Sequence, residues 1–367
     1  AVRVMRSRAA RWIKRLAIVA LLIIAACAAP ILWNETQCIG KLPAEPNNYR
    51  PILAPEYRRN LVDSYLTYPE WSIVHAYEDF AAVARQRGES AYRYKESIVG
   101  YWRNLCGVSA IASAKGTITT DMKAMLYLIG LSFTVEMGVK GLYEKTIGLV
   151  TTWIRGPQPT SEDQFAFNVA DEYAAFLRQA PWYEFPFWQK LTEFWRETPF
   201  GSNNIIRATE RRIALTLEYG VKAGYAKVFS VLAALSPAAR TIRSVMSEPG
   251  GHYAFEAPPP TLVEKRADGS AIIETPRYRA FTDVIKMLVG KGAHFIEIAG
   301  NDTILVTVLA KSSAELTVPN GREVFRVPLQ SRQGWDRRGV SMPVREFSAL
   351  LQTTVQAGAE FEHAYDY

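Results

Sequence analysis

The sequence TVEMGVKGLYEK occupies residues 134–145, and a near copy of it, TLEYGVKAGYAK, occupies residues 216–227. The two stretches agree without a gap at seven of twelve positions. In both, a Glu, a Lys and a Tyr interrupt an otherwise apolar segment. Charged groups are costly to bury unless they are paired, so the charges of each copy need partners.

The spacing places the polar residues of each copy on one helical face, because residues three, four and seven apart lie on the same side of a helix. The rest of the first helix is apolar nearly all round, which is typical of a helix buried in a core or in lipid. If the copies pack about a pseudo-twofold axis, each Glu faces the Lys of the other copy. We favour a buried ion-pair cluster, which would fix the register of the two repeats. The alternatives are a ligand site and a proton path. The candidate polar centre comprises Glu136, Lys140, Tyr143, Glu218, Lys222 and Tyr225.

Two further pairs of similar segments precede these copies. EDFAAVARQ at residues 78–86 resembles DEYAAFLRQ at 171–179, and YWRNL at 101–105 resembles FWQKL at 187–191. The three pairs occur in the same order, which predicts a duplicated three-helix unit at residues 66–155 and 160–245.

The first fifteen residues contain six Lys or Arg and no acidic residue, and the charge-free run LAIVALLIIAACAAPILW follows at residues 16–33. This pattern predicts a signal-anchor helix with a cytoplasmic N-terminus, so that the rest of the chain faces the outside. A cleaved signal peptide and a lipoprotein anchored at Cys27 remain alternatives. The remaining charge is nearly balanced, 37 Lys and Arg against 36 Asp and Glu, and this does not indicate nucleic-acid binding.

The other two cysteines, Cys38 and Cys106, are predicted to form an exported disulfide or to remain as two buried thiols. The sequence contains no C-x-x-C motif, so zinc and thioredoxin chemistry have no support.

The sequence predicts an α+β protein in five parts: a basic segment and membrane anchor at 1–33, a Pro-rich tether at 34–65, a helical domain at 66–246, a Pro/Gly linker at 247–260 and an α+β domain at 261–367. Within the helical domain, Pro69 is expected to open the first helix. The last part is predicted to contain hairpins turning at Asp268-Gly269, near Asn301 and at Asn320-Gly321, helices at 277–289 and 343–357, and a final strand at 359–366. Without the third hairpin, the order is the ferredoxin-like βαββαβ.

Catalytic signals are weak. His75, Glu78 and Asp79 share a helical face, and Asp171 and Glu172 correspond to the two acids in the second repeat, a pattern that suggests a carboxylate metal site within a bundle. The Glu-x-x-His pair of such sites is missing, however, and Asn168 stands in place of His75. Phosphate-loop, dinucleotide and H-E-x-x-H motifs are also absent from the sequence, so we predict no catalytic residue, metal or cofactor.

The leading functional hypothesis is a bacterial inner-membrane protein with a single crossing, whose body faces the periplasm and binds a protein partner or small ligand without catalysis. The alternative is a small transporter-like protein in which one helix of each inverted repeat crosses the membrane around the polar centre. The apolar run from Ala124 to Val135 is short for a crossing, which favours the first hypothesis. A carboxylate-bound metalloenzyme is the third.

Overall fold

The computed structural model describes residues 2–45, 47–199, 204–233, 240–247 and 260–367. The architecture is α+β, with ten α-helices and two four-stranded antiparallel sheets in the described part of the chain. The helices are α1 (Val2–Gln37), α2 (Leu61–Arg87), α3 (Tyr94–Lys115), α4 (Thr120–Tyr143), α5 (Leu149–Arg155), α6 (Ser161–Leu177), α7 (Phe187–Glu197), α8 (Ile205–Ala233), α9 (Arg279–Gly290) and α10 (Phe347–Gln356).

Helix α2 begins earlier than the sequence predicts. Asn60 caps it by accepting a hydrogen bond from the backbone N–H of Val62, and Pro69 lies inside the helix. The expectation that Pro69 opens this helix is therefore wrong. The cap and the burial of the turns before the proline stabilise the helix. This stabilisation outweighs the loss of the backbone hydrogen bond that proline cannot donate.

Both halves of the helical region have three helices in the same order, α2, α3 and α4–α5 followed by α6, α7 and α8. Helices α4 and α5 are joined by one π-helical turn, Glu144–Gly148, into a single helix from Thr120 to Arg155. This long helix runs antiparallel to α8, because Thr151 bonds to Glu210 near one end and Ser132 bonds to Tyr225 toward the other. Helices α2 and α6 pack together behind this pair. The duplication itself stays a prediction.

The first sheet has the strand order β2-β3-β1-β4, formed by β1 (Thr241–Ser247), β2 (Thr261–Lys265), β3 (Ser270–Pro276) and β4 (His294–Ile298). Strand β1 lies within the range predicted to be helical. The hairpin of β2 and β3 turns at Asp268-Gly269, as expected. The predicted linker lies outside the described residues, apart from Ser247 and Pro260.

The second sheet has the order β6-β7-β5-β8, formed by β5 (Thr303–Lys311), β6 (Arg322–Pro328), β7 (Trp335–Pro343) and β8 (Glu360–Ala364). Two predicted hairpins are wrong. The backbone turns sharply at Ala299 and Gly300, which both have positive φ, and sends β4 and β5 into different sheets. The turn at Asn320-Gly321 precedes β6, which pairs with β7. The described strands thus form two sheets and not the single sheet of a ferredoxin-like domain.

The predicted tether packs on the body of the protein. Cys38 and Cys106 form a disulfide between the end of α1 and helix α3. The carboxylate of Glu297 on β4 accepts hydrogen bonds from the Tyr49 hydroxyl and from the backbone N–H of Leu53. The segment between α1 and α2 therefore lies against the first sheet instead of hanging free.

Helix α7 carries the most aromatic stretch of the chain. Phe187 and Phe194 are buried, whereas Trp188 is 70% exposed. The two phenylalanines therefore pack in the core, whereas Trp188 points away from it.

Candidate functional site

Four of the six residues of the candidate polar centre come together between α4 and α8. Lys140 Nζ lies 3.0 Å from Glu218 Oε2, and Lys222 Nζ lies 2.7 Å from Glu136 Oε1. Each Glu thus faces the Lys of the other copy. Lys222 Nζ also lies 3.2 Å from Glu218 Oε1, one turn earlier on its own helix. We call these four residues the quartet.

Aromatic rings from α2 and α6 cover the inner side of the quartet. The Tyr77 hydroxyl donates to Glu136 Oε1 at 2.5 Å. The Lys222 ammonium lies 5.4 Å and 5.3 Å from the ring centres of Tyr77 and Tyr173. Lys140 lies 4.7 Å from the ring centre of Phe80. Ring faces attract cations, so these contacts add to the ion pairs.

The charges of the quartet stabilise one another. Burial alone would raise the pKa of Glu218, but the ammonium groups of Lys140 and Lys222 outweigh it and lower that pKa well below its usual range. Burial alone would lower the pKa of Lys140, but Glu218 and then Glu89 raise it. Both groups therefore stay ionised at neutral pH.

The two tyrosines do not join the quartet. The Tyr225 hydroxyl lies 3.0 Å from Ser132 Oγ, and its ring stacks on Trp182 with 5.0 Å between centres. The Tyr143 hydroxyl is buried and has no hydrogen-bond partner among the described residues. Tyr143 corresponds to Tyr225, and the residue that corresponds to Ser132 is Ala214. Because Ala214 has no hydroxyl, Tyr143 lacks the contact that Tyr225 makes.

A second buried charge cluster, which the sequence pattern did not predict, adjoins the quartet. Arg211 on α8 lies 2.5 Å from Glu89, 3.1 Å from Glu144 and 3.4 Å from Asp163. Lys140 lies 3.6 Å from Glu89 and so connects the cluster to the quartet. Arg211 precedes Glu218 by seven positions, so the same helical-face rule could have found it.

Glu144 is the unusual member of this cluster. Burial and the neighbouring charge of Glu89 raise the pKa of Glu144 to about 8, although Arg211 partly offsets them. Its carboxylate lies at the π-helical turn, against Gly148, where a Cβ atom would collide with Oε2. An alanine at position 148 would therefore force the Glu144 carboxylate to shift.

The other predicted cluster separates. His75 Nδ1 lies 3.1 Å from Glu78 Oε2, and Glu362 from β8 approaches His75 Nε2 at 3.8 Å. Asp79 instead accepts backbone hydrogen bonds from Gln330 and Ser331, both at 3.1 Å. Asp171 and Glu172 lie elsewhere, paired with Arg85 and Lys190.

The donors of His75, Glu78 and Glu362 do not fit a metal ion. Glu362 already binds Arg337 through both oxygens, at 2.7 Å and 2.8 Å, and Glu78 is paired with Arg178. Burial alone would raise the pKa of Glu362, but Arg337 lowers it to about 2. A metal bound by Glu362 would have to compete with the Arg337 guanidinium for these oxygens.

The long helices expose an apolar surface on the side away from the quartet. Between residues 124 and 154 and between 205 and 228, the only exposed charged residues are Lys145 and Lys227. The large exposed apolar residues, here called the outward face, are Met125, Leu128, Val135, Val139, Leu142, Ile147, Leu149, Val150, Trp153, Ile154, Ile205, Ile206, Ile213, Leu217, Val221 and Val228.

Among the residues whose side chains the structure describes, one helix, Thr120–Arg155, is long and apolar enough to cross a membrane, and 22% of its most apolar stretch is buried. No protein-family model, curated protein or solved structure matches the chain.

Proposed function

We propose that this chain is a membrane-anchored, non-enzymatic binding or assembly protein whose body lies on the periplasmic surface of a bacterial inner membrane. The observation that carries this proposal is the outward face. Apolar patches of this extent on soluble monomers mark sites of interaction with a membrane or a partner. A lipid surface fits because the face is continuous along two helices and carries only two charged side chains, both lysines, which can reach the headgroups.

The position of α1 supports lipid as the occupant of this face. Its last turns contact the first turns of α4, where Asn34 donates to the Tyr127 hydroxyl at 3.0 Å and Glu35 lies 2.8 Å from Lys123. If α1 crosses the bilayer, these contacts place the start of α4 at the membrane surface. The outward face can then lie along that surface, like other amphipathic helices with one apolar side.

A transmembrane orientation of the long helices is less favourable. The inner side of the pair is covered by α2 and α6, which carry exposed ion pairs such as Arg85 with Asp171. A crossing would draw these charges into the hydrocarbon region, where ionisable groups are costly. The transporter hypothesis therefore ranks second, and the poor fit of the His75 donors leaves the metalloenzyme hypothesis without support.

The depth of the outward face can be measured with fluorescent labels on the full chain in proteoliposomes. In a Cys27→Ser background, single reporters Val139→Cys and Val221→Cys carry an environment-sensitive dye. Both valines are well exposed, at 65% and 70%. The matched control is Val355→Cys on α10, also an exposed valine on a helix. We expect quenching by acyl-chain nitroxides at 139 and 221 only. Equal access of aqueous iodide to all three positions would refute the proposal that the outward face lies in lipid.

Topology separates this proposal from the transporter. Cysteine reporters at Gln158, between the two halves, and at Gly269, in the first sheet, are treated with an impermeant thiol reagent from outside the cell. A single crossing by α1 predicts labelling at both positions. Protection at Gln158 with labelling at Gly269 would overturn the proposal in favour of inverted repeats.

A further inference from the structure

A cleft separates α2 from the second sheet and its helices. It has a volume of about 800 Å³, which is within the range of small-molecule sites. Helix α2 and the end of α6 form one side, and β8, α9 and α10 form the other. Its lining includes side chains of both signs, so the pairing among them decides what the cleft can bind.

The acidic groups of the cleft already have partners. Glu78 pairs with Arg178 and His75, and Glu362 pairs with Arg337. Glu360 lies 2.7 Å from Arg332. Asp79 is saturated by the backbone of residues 330 and 331. An incoming cation would therefore find no free carboxylate.

Two donors in the cleft have no acceptor among the described residues. The Lys286 ammonium makes no ion pair or hydrogen bond there, and its nearest described interaction is with the Phe361 ring, 5.2 Å from the ring centre. His363 is 1% exposed, and its Nε2 is buried without a partner. Buried polar atoms are nearly always satisfied in native proteins, so an unpaired one in the lining of a cleft is a place where a ligand can supply the partner.

The tautomer of His363 depends on its contact with Thr282. The Thr282 hydroxyl accepts from the backbone N–H of Ala364 at 3.0 Å and lies 2.9 Å from His363 Nδ1. That hydroxyl can donate its proton to Nδ1, and in this arrangement the ring proton lies on Nε2. Burial, with His75 next in effect, lowers the pKa of His363 well below its ordinary value, so the ring is neutral. Nε2–H then acts as a donor.

The walls beside these donors are apolar. The Trp71 ring lies 3.8 Å from the His363 ring, centre to centre, and Phe361, Leu309 and Leu351 complete the lining on this side.

We infer that this cleft binds a small organic anion, with its carboxylate or phosphate group at Lys286 and His363 Nε2–H and its apolar body along Trp71 and Phe361. The inference rests on the proposed function, because it names the class of ligand that the proposed binding protein would take. It needs no membrane contact, so the two can fail separately.

Calorimetric titration of the full chain in nanodiscs tests the ligand class with phenyl phosphate, phenylacetate and phenethylamine as probes, since they share a ring but differ in charge. We expect at least one anion to bind and the amine to give no heat of binding. Lys286→Met keeps the apolar stem and should weaken anion binding at least tenfold, whereas Lys286→Arg should restore it. The control Lys311→Met removes an exposed lysine outside the cleft and should leave binding unchanged.

Three results would overturn the inference: no heat with either anion, equal binding of the amine, or full anion affinity in Lys286→Met. Inorganic phosphate that binds as tightly as phenyl phosphate would overturn the assignment of an apolar body. If the protein binds the anion but iodide reaches the outward face, the membrane contact alone is refuted.

Discussion

The long helix α4–α5 and helix α8 contain the same motif but differ in what surrounds it. At the quartet each helix gives its Glu to the other's Lys, although Lys222 also contacts Glu218 on its own helix. Within two turns of the quartet they differ, because Glu144 corresponds to Ala226 and Arg211 corresponds to Ile129. The repeated Glu and Lys residues form ion pairs in both directions between the halves. Arg211 and Glu144, which are not repeated, form a cluster with no counterpart at the equivalent positions. If the halves are duplicated, the cluster arose by divergence after the register was set.

The largest effect is expected at Arg211. Arg211→Met should lower the free energy of unfolding by about 3–5 kcal/mol, because it removes the buried cation shared by Glu89, Glu144 and Asp163 and leaves Glu89 with Lys140, 3.6 Å away, as its remaining cation. Urea denaturation of the full chain in detergent measures this. The control is Arg85→Met, whose ion pair with Asp171 is 43% exposed on both sides and should cost less than about 1 kcal/mol. Equal losses would show that the cluster contributes no more than a surface pair.

The next effect tests the reciprocity of the quartet. Glu218 contacts both lysines and its side chain is 25% exposed, whereas Glu136 contacts one and is 35% exposed. We expect Glu218→Gln to cost about 2–3 kcal/mol and Glu136→Gln about 1 kcal/mol, because solvent screens the second pair more. The same denaturation experiment compares them. Identical costs would mean that the two halves of the quartet are energetically equivalent.

A smaller effect should appear as pH dependence at Glu144. Its pKa is raised from 4.5 to about 8 in the folded chain, so the folded state holds the proton more tightly than the unfolded state. Stability from this group is fully present below pH 4.5 and is lost as the pH rises through 8. Glu144→Gln keeps the shape without the charge and should flatten the stability profile over this interval. Parallel profiles for the two proteins would contradict the assignment.

The smallest effect is expected at the equivalent exposed lysines of the two copies. Lys145→Gln and Lys227→Gln should each change the unfolding free energy by less than about 0.5 kcal/mol, as surface substitutions usually do. A loss above about 1 kcal/mol at one position but not at the other, measured in the same detergent, would show that the two outward surfaces are not equivalent.

The sequence predicted the parts of the site that depend on helical spacing. Glu136, Lys140, Glu218 and Lys222 follow from a motif written twice, and their pairing follows from antiparallel packing. Glu89 and Asp163 could not be predicted, because one lies in a turn and the other begins a different helix. Glu362 reaches His75 only through the packing of β8 beside α2.

The errors in the strands have a similar cause. Local turn residues at Asn301 and Asn320-Gly321 do indicate changes of direction, but they do not specify which strand is the partner. Strand β4 pairs with β1, which the sequence pattern assigned to the helical region. The choice of partner depends on contacts distant in sequence, and turn chemistry carries no information about these.

The disulfide between Cys38 and Cys106 spans 68 positions and encloses the whole segment that leads from α1 to α2. A protease that cuts once within residues 39–60 would divide the chain without separating the pieces. The cut protein should migrate as one species on a non-reducing gel and as two after reduction. Release of the body from α1 would thus require two events, a cleavage and a reduction. An oxidising compartment does not favour the reduction.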